Sequence, residues 1–348
     1  MKKLIILFKN FFKLISNFFF KKKIVFFCEN EYTLEYLKFI IEKKSKIKKY
    51  QNHILIISKS KIYLKGCNVK SIFISSNFLL EIFFLTLHAK FVYSTTPGLE
   101  NTFFKRSLFC KNIKYIYIQH SHIGLIKAYS ENAFSCFNAI QIINSYQYRD
   151  ALFLKKKNSK KFKIFKSKYQ FIHNKIISKI SNKNKTDFLI APTWRTGFYE
   201  NELYLKIINL ITNQDFSYVL RPHPMSFTRK EIELKDLKNK DIIYDNAPNV
   251  DLNNFRYLIS DWSGIYFEFF LIKKKKSILF NTEMKILNDK LDYCATPIEL
   301  DLRDELSLTI DTNDLIKFEK MLINLKKNLK DILQIDNSFE KKKNDIFF

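Results

Sequence analysis

The sequence predicts an α/β chain built from two doubly wound parallel sheets, and three observations carry that prediction. Short apolar runs of strand length recur through both halves; segments with apolar residues at helical spacing fall between them; and in the second half each run ends on polar residues. Those second-half runs are residues 187–195, 217–224, 257–264 and 277–281. Between the first two, residues 200–212 place Leu203, Leu205, Ile207, Ile208, Leu210 and Ile211 at mostly helical steps, and 264–272 is a further short helix. Parallel sheets hold ligands beyond the carboxyl ends of their strands. Thr193, Arg195, Arg221, His223, Ser260 and Ser263 fall at those ends.

The first half follows the same plan. Strands are expected at 22–27, 53–58, 71–75, 90–94, 114–119 and 139–144, with an amphipathic helix over 32–44. The Lys-, Ser- and Asn-rich stretch 155–185 reads as a linker. A helix is expected over 314–333, and the charged stretch 340–345 as a fraying tail. The domain plan is therefore 1–22, 23–175, 176–335 and a tail of 336–348.

Residues 1–22 are expected to form a basic amphipathic helix, with Leu4, Ile5, Phe8, Phe11, Phe12, Ile15, Phe18 and Phe19 on one side and Lys9, Lys13, Ser16 and Asn17 on the other. Lys9 and Lys13 cut the apolar run well short of the ~20 residues a membrane span needs. No small-residue cleavage site follows, which argues against a signal peptide. The expectation is in-plane attachment to an anionic membrane surface, the inner face of the cytoplasmic membrane, although a helix that simply covers a core has the same pattern.

The chain has 348 residues, a formal charge of +26, and 36 Phe beside only 5 Gly and 6 Pro. The basic excess is mostly Lys and is dispersed, which argues against a nucleic-acid interface with clustered Arg, Lys and aromatics on one element. A diffuse positive field still favours anionic partners. Cys28, Cys67, Cys110, Cys136 and Cys294 are widely spaced and odd in number, so neither a disulfide framework nor a zinc site is expected, and a reducing cytoplasm fits.

Four motifs could carry chemistry. Gln119-His-Ser-His-Ile-Gly124, followed by Lys127, leaves a strand, so His120 and His122 arrive at a ligand edge where an imidazole can serve as a general base; a structural hydrogen bond explains a loop histidine equally well. Arg221-Pro-His-Pro224 fixes a guanidinium and an imidazole between two prolines, and the guanidinium fork suits phosphate oxygens. Ser260-Asp-Trp-Ser-Gly264 joins a strand to a helix whose first amides, with Ser263 as N-cap, could hold a phosphate, or could be an ordinary capped turn. Ala191-Pro-Thr-Trp-Arg195 sets an arginine past a strand, where a surface salt bridge is the competing use. Neither metal-ligand spacing nor the glycine-rich loop of nucleotide hydrolases is present.

Taken in order, these four motifs, with Glu268 and 277–280, resemble the CDP-glycerol glycerophosphotransferase family, whose members build teichoic-acid-like and capsular polymers; the resemblance spans about residues 90–304. It implies a GT-B-like fold, two Rossmann-like domains facing across a cleft. It implies His122 as the base in the N-terminal domain, His223 at the pyrophosphate, and Ser260 and Ser263 as phosphate-binding serines. Arg221, Gly264, Arg195, Thr193, Lys127, His120 and Gln119 complete the expected substrate site. The family's aromatic-His-Gly is here Ser121-His122-Ile123 with glycine moved to Gly124, which leaves His120 as a second candidate base. The implied partners are a CDP-linked polyol and a polysaccharide or lipid-linked acceptor, with neither metal nor cofactor. A GT-B glycosyltransferase using a nucleotide sugar is the competing expectation.

Overall fold

The computed structural model of the chain describes residues 24–62, 64, 69–99, 106–157, 162–172, 186–240, 242–245, 250–288, 294–327, 333–335 and 337–348. The helix expected over 1–22 lies outside them. No helix among the described residues is long and apolar enough to cross a membrane.

The first sheet has seven strands: β1 (Ile24–Cys28), β2 (Ile54–Ser58), β3 (Lys70–Phe73), β4 (Phe91–Ser94), β5 (Lys114–Tyr117), β6 (Ala139–Ile142) and β7 (Lys163–Lys166). Their order is β3-β2-β1-β4-β5-β6-β7 and every pairing is parallel. β1 and β2 are continuous apolar runs buried along their whole length, the pattern of strands covered on both faces. Helix α1 (Glu31–Ser45) follows β1 and begins in a reciprocal cap: Asn30 Oδ1 accepts the Thr33 amide at 3.1 Å and Thr33 Oγ1 accepts the Asn30 amide at 3.1 Å. Its Leu34, Leu37 and Ile41 are buried with Ile24, Phe26 and Ile56. Helices α2 (Asn77–Leu85) and α3 (Ser145–Lys157) also belong to this unit.

The second sheet contains β8 (Thr186–Ile190), β9 (Tyr218–Leu220), β10 (Phe255–Ser260), β11 (Ser277–Asn281) and β12 (Ser307–Asp311) in the order β12-β11-β10-β8-β9, again all parallel. Its helices are α4 (Leu203–Asn213), the short α5 (Pro224–Thr228) and α6 (Leu234–Asn239), α7 (Ile265–Lys273), the single turns α8 (Ile298–Asp301) and α9 (Arg303–Leu306), α10 (Leu315–Lys326) and α11 (Asn337–Ile346). Leu203, Ile207 and Ile211 of α4 pack with Phe318, Leu322 and Leu325 of α10 in the core of this sheet. Strand order reverses between β1 and β4 in one sheet and between β8 and β10 in the other, the points where such sheets open for ligands.

Three local expectations change. The stretch read as a linker contains the end of α3 and the edge strand β7, whose Lys163, Phe165 and Lys166 are exposed, so its composition matches a loop while its backbone continues the ladder. Compact units do not follow chain order either: 24–120, 129–171 and Phe348 cluster together, whereas 121–128 join 172–347. Finally, the charged tail is a helix anchored by phenylalanines: Phe339 and Phe347 lie 5.4 and 6.3 Å, ring to ring, from the buried Phe270 of α7. With Phe339 only 3% exposed, Phe339→Ala should lower unfolding stability by about 3–5 kcal/mol in urea titrations, where a frayed tail would show no change.

Candidate functional site

In the second unit the strand-order reversal brings the ends of β8 and β10 side by side, and a buried carboxylate fastens them. Asp261 Oδ1 accepts the Thr193 amide at 2.8 Å and Asp261 Oδ2 accepts the Thr196 hydroxyl at 2.6 Å. Burial raises the pKa of Asp261, while bonds from Thr196 and from the backbone amides of Thr193, Trp262 and Ser263 pull it down. Ser260, expected at a phosphate, is fully buried and its hydroxyl donates to the Ala191 carbonyl at 2.7 Å, so it ties the same two strands together. Thr193 is likewise buried and contributes its amide to the lock.

Arg303, absent from the expected site, extends this lock to β11. It donates to the carbonyls of Asp261 at 3.0 Å and Phe280 at 3.1 Å, and to Asn281 Oδ1 at 3.0 Å. Its guanidinium carbon lies 3.9 Å from the centre of the Trp262 ring, and the Trp262 indole donates to the Thr282 carbonyl at 2.8 Å.

Around this frame stands a cationic and aromatic group. The Trp194 ring centre is 4.1 Å from Lys285 Nζ, 5.3 Å from the Arg229 guanidinium and 6.4 Å from the His223 ring. Lys285 follows β11, and its surroundings depress its pKa to about 8: burial is the main cause, Arg195 adds to it, and Asp261, Glu299 and Glu231 oppose it. His223 holds its own loop, since Nδ1 accepts the Met225 amide at 3.1 Å and so caps α5. Arg221 pairs with Asp245 at 3.4 Å, half-buried. Arg195 takes a left-handed backbone (φ 63°), its amide donates to Glu231 at 2.9 Å, and its side chain is exposed.

At the start of α7 the N-cap is Gly264 rather than Ser263, with no side-chain cap; Ser263 Oγ accepts the Ile265 amide at 3.5 Å. Gly264 accommodates a close approach: a Cβ there would overlap Ser121 Oγ and come within 3.1 Å of Ile123 Cγ2 unless those side chains shifted. The loop that follows β5 therefore lies against this helix. The Gly124 amide donates to Glu299 Oε1 at 2.9 Å, and the Leu287 amide donates to the Lys127 carbonyl at 2.9 Å. His122 travels with the loop. It is 1% exposed, its ring lies 5.1 Å from Phe347 and 6.3 Å from Phe267, and burial depresses its pKa to about 3.

His122 and His223 thus belong to one compact unit, contrary to the expected one per domain, whereas Gln119 and His120 stay with the first sheet. His120 is half-buried, with Nδ1 3.1 Å from the Tyr117 hydroxyl and its ring 5.9 Å from that of Tyr36. Sequence reasoning found the strand-end residues and missed Lys285, Arg303 and the role of Asp261. Asp261 and Trp194 stand inside quoted motifs, but nothing distinguishes Lys285 from the other lysines until the fold is known.

No protein-family model matches the chain, and no curated protein matches it in sequence. Solved structures resemble it. One of the wall teichoic acid polymerase TagF is 16% identical over 97% of this chain and 96% of its own, with a TM-score of 0.51. Another, of TagF soaked with CDPG, is 16% identical over 92% and 89%, with a TM-score of 0.53. MnaA from S. aureus, bound to UDP, is 12% identical over 89% and 88%, with a TM-score of 0.53. At these identities the likeness is one of fold: two Rossmann-like parallel-sheet units in a single chain, the GT-B class.

The setting of His122 has a consequence for stability. A histidine with an ordinary pKa of 6.5 once unfolded, but about 3 when folded, is protonated on acidification only in the unfolded chain. Its contribution to stability therefore falls as pH drops from 6.5 towards 3, by about 2 kcal/mol at pH 5. Urea unfolding at pH 7 and pH 5 should show this extra loss in the native chain and not in His122→Leu.

Proposed function

We propose that this chain is a transferase that moves a polyol phosphate, glycerol phosphate first among them, from a CDP-activated donor to a hydroxyl of a surface-polymer acceptor. The observation that carries the reading is the convergence, at the carboxyl edge of the second sheet, of His223, Arg229 and Lys285 around Trp194, with Arg221 two residues before His223 at the end of β9. That edge offers what a nucleoside diphosphate requires: cations for its phosphates and backbone donors on a rigid frame. The order of the four motifs and the likeness of fold support the same reading.

In the proposed reaction the acceptor oxygen attacks the phosphorus distal to cytidine. The bond from that phosphorus to the bridging oxygen breaks, CMP leaves with the electron pair, and the acceptor's proton passes to an imidazole. Arg221, His223 and Lys285 meet the charge on the transferred group and on departing CMP, supplying the preorganised electrostatic stabilisation on which phosphoryl transfer depends. Thr193, Ser260 and Asp261 act behind them by fixing the loops. Ser263 and Gly264 supply the helix start, while Arg195 and Lys127 flank the site.

The proton acceptor is a histidine of the 119–127 loop. General bases work best with a pKa near the working pH. His122, depressed to about 3, is a weak base where it stands, which supports assigning this step to His120. The membrane-surface role of residues 1–22 belongs to the same reading: a helix lying on anionic lipid would keep the enzyme beside a lipid-linked acceptor, on the cytoplasmic face.

Purified protein given CDP-glycerol, CDP-ribitol or a nucleotide sugar separately should release CMP from a CDP-polyol. Release only from the nucleotide sugar would move the assignment to a glycosyltransferase. Arg221→Ala and His223→Ala should each lower kcat by about 10²–10³-fold, and His120→Ala should lower it more than His122→Leu. Lys285 is charged below pH about 8 and neutral above it, so KM for the donor should rise above pH 8. Lys285→Arg, which keeps its charge, should abolish that rise.

A further inference from the structure

The ring of His120 is set by aromatic side chains of its own unit. Its centre lies 5.9 Å from that of Tyr36, and 6.3 and 6.2 Å from those of Tyr117 and Tyr129, the last two edge to face. One polar contact adds to this enclosure: Nδ1 is 3.1 Å from the Tyr117 hydroxyl. Tyr117 ends β5 and is fully buried, with its ring edge-on to Phe134 at 5.0 Å and to Phe137 at 5.2 Å. Packed in this way, the phenol has little freedom, and its hydroxyl is a fixed point for the histidine three residues further on.

The hydrogen between Nδ1 and this hydroxyl can sit on either atom, and the choice decides which ring nitrogen is basic. If Tyr117 donates, the neutral imidazole carries its hydrogen on Nε2; if Nδ1 donates, Nε2 is the bare nitrogen. A buried hydroxyl that accepts from Nδ1 must give its own hydrogen to another acceptor. Tyr129 supplies one. Burial raises the pKa of Tyr117 well above its ordinary value, and Tyr129 raises it further, by its charge and by a side-chain hydrogen bond. A bond that raises a phenol's pKa is one the phenol donates, because it favours the protonated form. Tyr117 therefore stays neutral, gives its hydrogen towards Tyr129 and keeps an oxygen lone pair for Nδ1.

We propose that Tyr117 is a positioning residue for His120: its oxygen accepts the Nδ1 hydrogen, which holds the ring in one orientation and makes Nε2 the basic nitrogen, with Tyr129 taking the hydrogen of Tyr117 behind it. The tautomer does not depend on any reaction, whereas its use rests on the transfer proposed above. In that transfer the acceptor's hydroxyl hydrogen moves to Nε2 as its oxygen bonds to phosphorus, and the imidazolium that forms keeps its Nδ1 hydrogen on Tyr117. A buried carboxylate plays this part in the Ser-His-Asp triad. A neutral phenol orients the ring without adding a counter-ion.

The test uses the full chain with isotope-labelled histidines, read by long-range nitrogen–proton NMR, the His120 signals being those lost in His120→Gln. At a pH where the ring is neutral, the native protein should show His120 with Nδ1 protonated and Nε2 bare. Tyr117→Phe keeps the ring packing and removes the oxygen, so the hydrogen should move to Nε2, the site a free imidazole prefers. Tyr129→Phe keeps the Tyr117 oxygen but removes the acceptor behind it, so Tyr117 should turn to donate to Nδ1 and the same move should follow. In CMP release, Tyr117→Phe should lower kcat about ten-fold, the worth of one neutral hydrogen bond, with KM for the donor unchanged. An Nε2 hydrogen in the native protein would overturn the proposal, as would an Nδ1 hydrogen retained in Tyr117→Phe. An unchanged kcat in Tyr117→Phe would overturn the positioning role, and a general packing defect would lower kcat without moving the hydrogen. A native protein that releases CMP from no donor would overturn the reaction and not the tautomer, which the spectra decide by themselves.

Discussion

The second half of the molecule depends on one buried carboxylate. A charged Asp261 in the interior is expensive unless donors surround it, and the donors it recruits come from both sides of the reversal in strand order. Thr193 and Thr196 belong to the loop after β8, and Trp262 and Ser263 to the turn that starts α7. The bonds from Thr193 and Thr196 cross between the two loops, whereas those from Trp262 and Ser263 are local to the turn that carries Asp261. Arg303 then takes the Asp261 carbonyl and reaches across to Phe280 and Asn281, which fixes the end of β11. Loops that would otherwise be the most mobile part of an α/β unit are held from beneath. The side chains above them, Trp194, Lys285 and His223, inherit that order.

What could be read from the sequence follows from how parallel sheets bury their strands. β1, β2, β10 and β11 are nearly continuous apolar runs, so their positions were plain, and so were the polar residues that end them. β7 was hidden because an edge strand with exposed lysines has the composition of a loop. α11 was hidden because lysines fill the helix between the anchoring Phe339 and Phe347. The motifs that carried the resemblance are all local. None could show that the 121–128 loop lies with the second unit, because that is decided by pairs as remote as Gly124 with Glu299 and Lys127 with Leu287.

The same limit explains the histidines. Position after a strand makes His120 and His122 equivalent candidates, and only surroundings separate them. His122 is enclosed with Phe267 and Phe347, and this burial is what keeps it neutral. Its place in the loop is therefore a packed one, which no spacing rule anticipates.

Charge at the site comes from side chains more than from the helix. The start of α7 carries at most about half an elementary charge, and that effect fades within one turn. Part of it is already used, because Ser263 Oγ faces the Ile265 amide and Ser121 crowds Gly264. Arg221 and Arg229 are paired with Asp245 and Glu231, and Arg229 and Lys285 lie against the face of Trp194. A cation resting on an aromatic ring has shed part of its hydration, so less water must be displaced when an anion arrives. The depressed pKa of Lys285 is the cost of that desolvation. An anion docking beside it would favour the charged form again, so the binding of a diphosphate and the protonation of Lys285 are linked, each promoting the other.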